Sequence, residues 1–206
     1  MEKEFKYRIN KTQYQKLLLL SDQSTHQLDN YFFDTPTLSL HRHKLGLRLR
    51  ITDNTQATIT LKYPAASPEP GIRGYKVREE IECGLSLNIA RTIIKKTISI
   101  IDLRSNPLLT LKAKLPQKEL TDIRLLGSIQ TTRTVITPAK NLTVELDRTR
   151  IFHKTFYEVE VETTTPRRTA KALVAFLKAQ NIQAYPFERS KLDRFIAEWK
   201  RKRALG

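Results

Sequence analysis

The sequence predicts an α+β protein whose antiparallel strands each carry one apolar face and one face of mixed charge, with helices packed on the apolar side. Three observations carry this. Side chains along a strand point to alternate faces, and the first segment alternates accordingly: Glu2, Glu4, Lys6 and Arg8 share one face, Lys3, Phe5, Tyr7 and Ile9 the other. The charged positions recur as tight pairs, Glu-x-Glu and Arg-x-Arg, in segment after segment. Stretches with helical spacing, such as Ala170, Leu173, Val174 and Leu177, stand between the strand runs.

Two architectures fit the alternation. An open antiparallel sheet turns its charged faces to water. A closed barrel turns them inward around a wet tunnel and leaves the apolar faces to helices. A solvated face carries Lys, Glu, Ser and Thr without order, whereas these segments pair like with like at fixed spacing. That favours the tunnel.

The elements follow in order. Asn10 and Gln13 have the spacing of a capping box, and Ile9 and Tyr14 occupy the staple positions around it, so a helix runs to about Leu20. Strands come next near 26–34, 44–53, 56–64 and 73–84. In these, Arg48 and Arg50 oppose Leu47, Leu49 and Ile51, while Thr58, Thr60 and Lys62 oppose Ile59, Leu61 and Tyr63. Arg78, Glu80 and Glu82 oppose Val77 and Ile81, with Glu79 interrupting the apolar face. The Pro- and Gly-rich piece from Pro64 to Gly71 reads as a loop. Residues 86–103 read as helix from Ile89, Ile93 and Ile94. Residues 104–123 have no clear period, and Leu109 to Lys114 alternates like a strand. Strands resume near 124–137, 141–152 and 155–164, with Glu145 and Asp147 opposite Val144 and Leu146, and Glu158, Glu160 and Glu162 opposite Tyr157, Val159 and Val161. Pro166 after Thr165 opens a helix, since proline suits the first helical position. Its stripe of Ala170, Leu173, Val174 and Leu177 belongs to the core. Ser190 caps a last helix carrying Phe195, Ile196 and Trp199.

Composition sets the outer limits. A chain of 206 residues suits one domain with a sizeable core, ending in a basic segment over 190–206. The single cysteine, Cys83, has no intrachain partner and fits a reducing compartment. No apolar run is long enough to span a bilayer as a helix, and charge begins at residue 2, unlike a secretory signal; a cytoplasmic protein is expected. The net charge of +16 points to an anionic partner. Lys95-Lys96, Arg167-Arg168 and Lys200-Arg201-Lys202-Arg203 fall on helices or tails, where solvation explains them, though they can also steer polyanions or bind RNA. His41 and His43 flank Arg42 on a loop without Cys or acidic residues at zinc-ligand spacing. There is no Gly-rich Walker A loop and no Ser-His-Asp arrangement.

Together these blocks resemble the CYTH superfamily, the triphosphate tunnel metalloenzymes, whose members include inorganic triphosphatases, thiamine triphosphatases and class IV adenylate cyclases. The N-terminal Glu2-x-Glu4-x-Lys6 matches the family signature. Tyr31 to Pro36 with Leu47-Arg48-Leu49-Arg50, Thr60-Leu61-Lys62, Arg78 to Glu82, Arg133, Glu145-Leu146-Asp147, Tyr157 to Glu162 and Ser190-Lys191-Leu192 follow in family order, from residue 2 to about 195. The resemblance implies a closed eight-stranded tunnel with helices packed outside, acting on a small polyphosphate.

Arginine's planar fork binds two phosphate oxygens at once, which suits Arg48, Arg50 and Arg133 as clamps, with Lys6, Lys62, Arg78 and Lys191 as further phosphate contacts. Carboxylates repel phosphate unless a hard cation stands between them. Glu2, Glu4, Glu158 and Glu160 are therefore the candidate ligands for Mg²⁺ or Mn²⁺, and Glu80 or Glu145 the candidate general base, unless metal-activated water needs none. The expected reaction is hydrolysis of inorganic tripolyphosphate to pyrophosphate and phosphate. Thiamine or nucleoside triphosphate hydrolysis and adenylate cyclisation are the alternatives on the same frame, and polyphosphate or RNA binding through the basic exterior is the non-enzymatic one. Tyr31, Phe33, Tyr63 and Phe187 are the aromatics available for a base-stacking slot, but core packing accounts for each more simply. Oligomeric state is not encoded in any of these features.

Overall fold

The computed structural model describes residues 1–20, 24–66, 72–187 and 189–204. In chain order its elements are β1 (Glu2–Ile9), α1 (Lys11–Leu18), β2 (Thr25–Asp34), α2 (Ser39–Arg42), β3 (Gly46–Thr52), β4 (Gln56–Pro64), β5 (Tyr75–Leu85), α3 (Leu87–Ile94), a 3-10 turn (Ile100–Asp102), α4 (Asn106–Lys114), α5 (Gln117–Leu120), β6 (Arg124–Ala139), β7 (Leu142–Ile151), β8 (Lys154–Glu162), α6 (Pro166–Ala179), β9 (Tyr185–Pro186) and α7 (Lys191–Ala204). The hydrogen-bonded order is β5-β4-β3-β2-β6-β7-β8-β1-β9, and β5 also pairs with β1. Strands β1 to β8 therefore close on themselves, with the short β9 appended to β1. This is the closed antiparallel β-barrel that the paired charges favoured over an open sheet.

The chain divides into two compact units, Met1–His26 with Ser67–Val77 and Thr131–Gly206, and Gln27–Ala66 with Arg78–Gln130. In the first, the apolar faces of β1, β7 and β8 supply Phe5, Val144, Leu146, Val159 and Val161, which pack with Tyr14 and Leu17 of α1 and Leu173 and Leu177 of α6. Asn10 forms the expected capping box, its side chain accepting from the Gln13 N–H while the Gln13 side chain accepts from the Asn10 N–H. Gly74 has φ +82°, and a Cβ there would meet the Tyr7 ring at 3.0 Å, so only glycine lets the backbone approach β1 this closely. The approach is bonded: the Lys6 N–H donates to Gly74 O at 2.9 Å.

In the second unit, Leu47, Leu49, Ile59 and Leu61 from β3 and β4 pack with Leu40 of α2, Ala90 and Ile93 of α3, and Leu108 and Leu111 of α4. Asp53 and Asn54 both take positive φ in the β3–β4 turn, which short polar side chains tolerate.

Four expectations change. The helix expected over 86–103 ends at Ile94, because Lys96 adopts φ 62° and closes a Schellman motif: the Thr97 N–H donates to Thr92 O and the Lys96 N–H to Ile93 O. Leu109 to Lys114 is not a strand but part of α4; Pro107 lies in its first turn, and Leu108 and Leu111, both buried, are spaced for a helix rather than for alternation. Val174 is 57% exposed, so the buried stripe of α6 is narrower than its apolar residues suggest. His41 and the Arg42 beside it lie in the single turn of α2 rather than a loop, held by the buried Asp34, whose carboxylate accepts the N–H groups of Thr35, Leu40 and His41. Residues 67–71 of the expected Pro/Gly-rich loop lie outside the described residues.

Leu49→Ala, in a fully buried position, is expected to cost about 2–5 kcal/mol of stability, whereas Val174→Ala should change it by less than about 0.5 kcal/mol. Urea denaturation of the two variants measures both, and similar costs would contradict the assignment of the α6 faces.

Candidate active site

Three neighbouring strands of the first unit bring charged faces into register. Across β1, β8 and β7, Lys6 stands opposite Glu160 and Glu160 opposite Glu145; one row along, Arg8 stands opposite Glu158 and Glu158 opposite Asp147. Glu4 pairs with Glu162 at the other end. The alternate side chains are committed to the apolar core, so these ionic groups have only the opposite face available. Neighbouring strands lie about 4.8 Å apart, which forces the groups to meet.

They meet as a continuous network. Lys6 Nζ lies 3.2 Å from Glu4 Oε1 and 2.9 Å from Glu160 Oε1. Arg133, from β6, grips Asp147 with two nitrogens at 2.8 and 2.7 Å, and reaches Glu160 Oε2 at 2.8 Å and Glu145 Oε2 at 2.5 Å. Lys191 Nζ, from the start of α7, lies 2.7 Å from Asp147 Oδ2, 2.5 Å from Glu160 Oε1 and 3.8 Å from Glu158 Oε2. Arg194 Nη2 donates to Glu158 Oε2 at 2.6 Å. Four cations (Lys6, Arg133, Lys191, Arg194) thus face five carboxylates (Glu4, Glu145, Asp147, Glu158, Glu160). Asp147 and Glu158 are wholly buried.

The charges set one another's protonation. Burial pushes Glu160 up, but Lys191, Lys6 and Arg133 outweigh it and hold its carboxyl well below the usual range. Asp147 is lowered in the same way, burial being overcome by Lys191 and Arg133. Burial alone would lower Lys6 and Lys191; Glu160 and Glu4 reverse this for Lys6, and Asp147 and Glu160 for Lys191, so both stay firmly protonated. Glu145 differs. Burial raises it, Arg133 opposes, and Glu160, Asp147 and Glu162 add to the rise, leaving its pKa at about 7. Arg133 is already shared with two stronger acids, so it cannot keep a third carboxylate fully ionised.

The second unit carries its own charged face. Arg48, Thr60 and Glu82 share one row across β3, β4 and β5, and Lys62 stands opposite Glu80. Arg48 Nη2 lies 3.4 Å from both Glu80 Oε1 and Glu82 Oε1 and donates to Thr60 Oγ1 at 3.1 Å. Lys62 Nζ lies 3.1 Å from Glu80 Oε2, and Arg50 Nε donates to the buried Asn30 Oδ1 at 2.8 Å. Burial raises Glu82, but bonds from Thr60 and Glu80 and the charges of Arg48 and Arg50 bring it below its ordinary value. Arg78 stands opposite Pro64 at the other end of β5 from Glu82.

Of the predicted site residues, Lys6, Arg133, Lys191, Glu4, Glu145, Glu158 and Glu160 come together in the first unit, with Glu2 at the start of β1. Arg48, Arg50, Lys62, Arg78 and Glu80 belong to the second. Among the described residues, no three Asp, Glu, His or Cys side chains are grouped as a ready cation site. Amine and guanidinium groups stand between the carboxylates instead. Sequence reasoning passed over Asp147 and Arg194. Asp147 shares the parity of Glu145, and Arg194 lies three residues after Lys191, which puts both on one helix face. Asn30, between Asp29 and Tyr31, gave no such signal.

The CYTH domain family matches residues 1–196. The chain belongs to this family. HpAC1 from Hippeastrum, a proposed adenylyl cyclase with a dominant triphosphatase activity, is similar at 28% identity with a TM-score of 0.85, covering 96% of each chain. A proposed adenylate cyclase from Bacillus halodurans shares the CYTH fold at 22% identity and a TM-score of 0.75, covering 95% of this chain and 99% of its own. No curated protein sequence matches the chain. No helix among the described residues is long and apolar enough to cross a membrane.

The Glu145 carboxyl yields a pH signature. Below its ordinary pKa of 4.5 it is protonated whether the chain is folded or not; between there and about 7 only the unfolded chain ionises, so stability falls as pH rises through that window. Glu145→Gln should abolish a loss on the order of 3 kcal/mol. Urea denaturation at about pH 5 and pH 8, without divalent cations, checks this; parallel pH dependence in the two proteins would refute it.

Proposed function

We propose that the protein is a metal-dependent triphosphatase that hydrolyses inorganic tripolyphosphate to pyrophosphate and phosphate. The observation that supports this most is the buried network of Lys6, Arg133, Lys191 and Arg194 with Glu4, Glu145, Asp147, Glu158 and Glu160. Buried ion pairs are weak stabilisers, since desolvation offsets the Coulomb attraction. A cluster of this density is better explained by a ligand that uses both signs of charge. The 28% identity with HpAC1, whose dominant activity is a triphosphatase, supports the same reading.

Within the first unit, Lys6, Arg133 and Lys191 bind phosphate. Each can exchange a carboxylate oxygen for a phosphate oxygen, because both are charged acceptors. Arg48, Arg50, Lys62 and Arg78 of the second unit are the further phosphate contacts. Glu2, Glu4, Glu158 and Glu160 hold Mg²⁺ or Mn²⁺. This donor set is purely carboxylate, which suits a hard cation, and Glu158 Oε1 is buried without a hydrogen-bond partner. The ion supplies charge neutralisation at the phosphate oxygens and a more acidic water. Glu145, with a pKa of about 7, can accept a proton at its carboxylate near neutral pH and is taken as the general base.

The aromatic residues argue against a nucleobase or thiazolium slot. Phe33 is in the core, Tyr31 packs against it, Lys114 Nζ covers the Tyr63 ring at 4.1 Å, and Arg194 covers Phe187 at 4.5 Å. Cyclisation of ATP is the second reading, because HpAC1 is itself a proposed adenylyl cyclase.

Tripolyphosphate, thiamine triphosphate, ATP and GTP, each assayed for phosphate and ATP also for cyclic AMP, decide among these. The expected result is phosphate release from tripolyphosphate that requires Mg²⁺ or Mn²⁺ and stops with EDTA; hydrolysis indifferent to EDTA overturns the reading, and cyclic AMP as the main product transfers it to a cyclase. Glu4→Gln and Glu160→Gln should each remove most of the activity without unfolding the protein. Arg50→Ala should reduce kcat/KM by roughly 1.5–3 kcal/mol, the scale of a charge-assisted hydrogen bond; an unchanged kcat/KM excludes Arg50 from phosphate binding.

A further inference from the structure

Arg194 is absent from every role assigned above, yet it is among the most constrained side chains of the first unit. It is 5% exposed. Its guanidinium lies between two rings, 4.7 Å from the centroid of Phe156 and 4.5 Å from that of Phe187. Phe156 shares the charged face of β8 with Glu158, and the Phe187 N–H donates to Lys6 O at 2.9 Å, so both rings are tied to the strands that carry the cluster. The helix that presents Arg194 is equally fixed. Ser190 and Asp193 form a reciprocal cap, the Asp193 N–H donating to Ser190 Oγ at 3.1 Å and the Ser190 N–H to Asp193 Oδ2 at 2.9 Å. This sets Lys191 and Arg194 one turn apart on the same face.

What this clamp holds is one oxygen of Glu158. Arg194 Nη2 donates to Oε2 at 2.6 Å, and Lys191 Nζ lies 3.8 Å from the same atom. Oε1, on a carboxylate that is wholly buried, has no hydrogen-bond partner. A buried charged acceptor left bare is costly, and Glu158 is held through one oxygen by Arg194 while its other oxygen has no donor. A divalent cation satisfies such an acceptor-only oxygen, as an N–H or O–H donor would; Arg194 Nη1 is itself buried without a partner.

We infer that Arg194 is a positioning residue that pins Glu158 through Oε2 so that Oε1 faces a divalent cation as a one-oxygen ligand. The inference rests on the metal-dependent reading of the cluster. Arginine is needed for its shape as well as its charge: a planar guanidinium can lie over ring faces and still direct an N–H in its own plane, whereas a lysine ammonium is a point charge.

The test is Mn²⁺ affinity, measured by isothermal titration calorimetry with Mn²⁺ alone on the full chain, alongside steady-state kinetics. Arg194→Lys should weaken Mn²⁺ binding about tenfold or more and raise the Mn²⁺ concentration needed for half-maximal hydrolysis in proportion, while KM for tripolyphosphate at saturating Mn²⁺ stays within about threefold. In a Glu158→Gln background the same substitution should add nothing, since Arg194 acts through that carboxylate. Should Arg194→Lys fail to fold, Phe187→Leu keeps the guanidinium but removes one wall of its slot, and weakened Mn²⁺ binding is again expected. Wild-type Mn²⁺ affinity in Arg194→Lys, or in Phe187→Leu where that variant stands in, overturns the role of Arg194 alone. Full additivity with Glu158→Gln does the same. Absence of Mn²⁺ binding by the wild-type chain overturns the metal reading itself and the inference with it.

Discussion

Glu160 is the hinge of the first unit's chemistry. Its two oxygens meet Lys6 from β1, Arg133 from β6 and Lys191 from α7, so three separate stretches of chain converge on one carboxylate. No two of these contacts are local. The carboxylate is nearly buried, and an ionised group there is tolerable only because three cations surround it. Remove it, and those cations are left buried facing one another. Remove any one cation, and the compensation that keeps Glu160 ionised is incomplete. The network is therefore held as a whole rather than pair by pair, as expected where the local dielectric is low.

That constraint explains why Glu145 differs from its neighbours. Five acids share four bases, and Asp147 and Glu160 each meet more than one of them. Glu145 meets only a shared Arg133 and feels Glu160, Asp147 and Glu162 as like charges. The resulting near-neutral pKa is a property of the cluster's charge count, not of the Glu145 side chain. A group that gains or loses its proton near neutral pH is also what acid–base chemistry on a phosphate ester or anhydride requires. Helix α7 has a corresponding part: its N-terminal turn delivers Lys191 and Arg194 to the acids, while Lys200, Arg201, Lys202 and Arg203 gather at its C-terminal end, where the helix dipole favours positive charge.

Much of this was legible in the residue order. Period-two alternation located the strands of both units, because burial of one face leaves the other to the charged groups regardless of where the strand sits. Capping signals were equally reliable: Asn10 with Gln13, Pro166 and Ser190 all act where local chemistry puts them. The reading failed where local patterns compete. Leu109 to Lys114 alternates for six residues, but the buried Leu108 and Leu111 follow the longer helical period that includes Pro107. Lys96 gives no warning that it will take a left-handed conformation and end α3, since glycine or asparagine is the usual signal.

From the sequence alone came the two-faced strands, the acids and bases on their polar faces, and the likeness to a family with polyphosphate chemistry; these are properties of spacing, and spacing is written in the chain. Partner choice was not. That Arg133 bridges Asp147, Glu145 and Glu160, that Lys191 crosses to the same acids, and that Arg194 is stacked between Phe156 and Phe187 with one oxygen of Glu158 in its grip depend on strand register and on where α7 docks. Coulomb energies and hydrogen bonds change over fractions of an ångström, and distances of that kind between residues far apart in the chain exist only once the tertiary structure has formed.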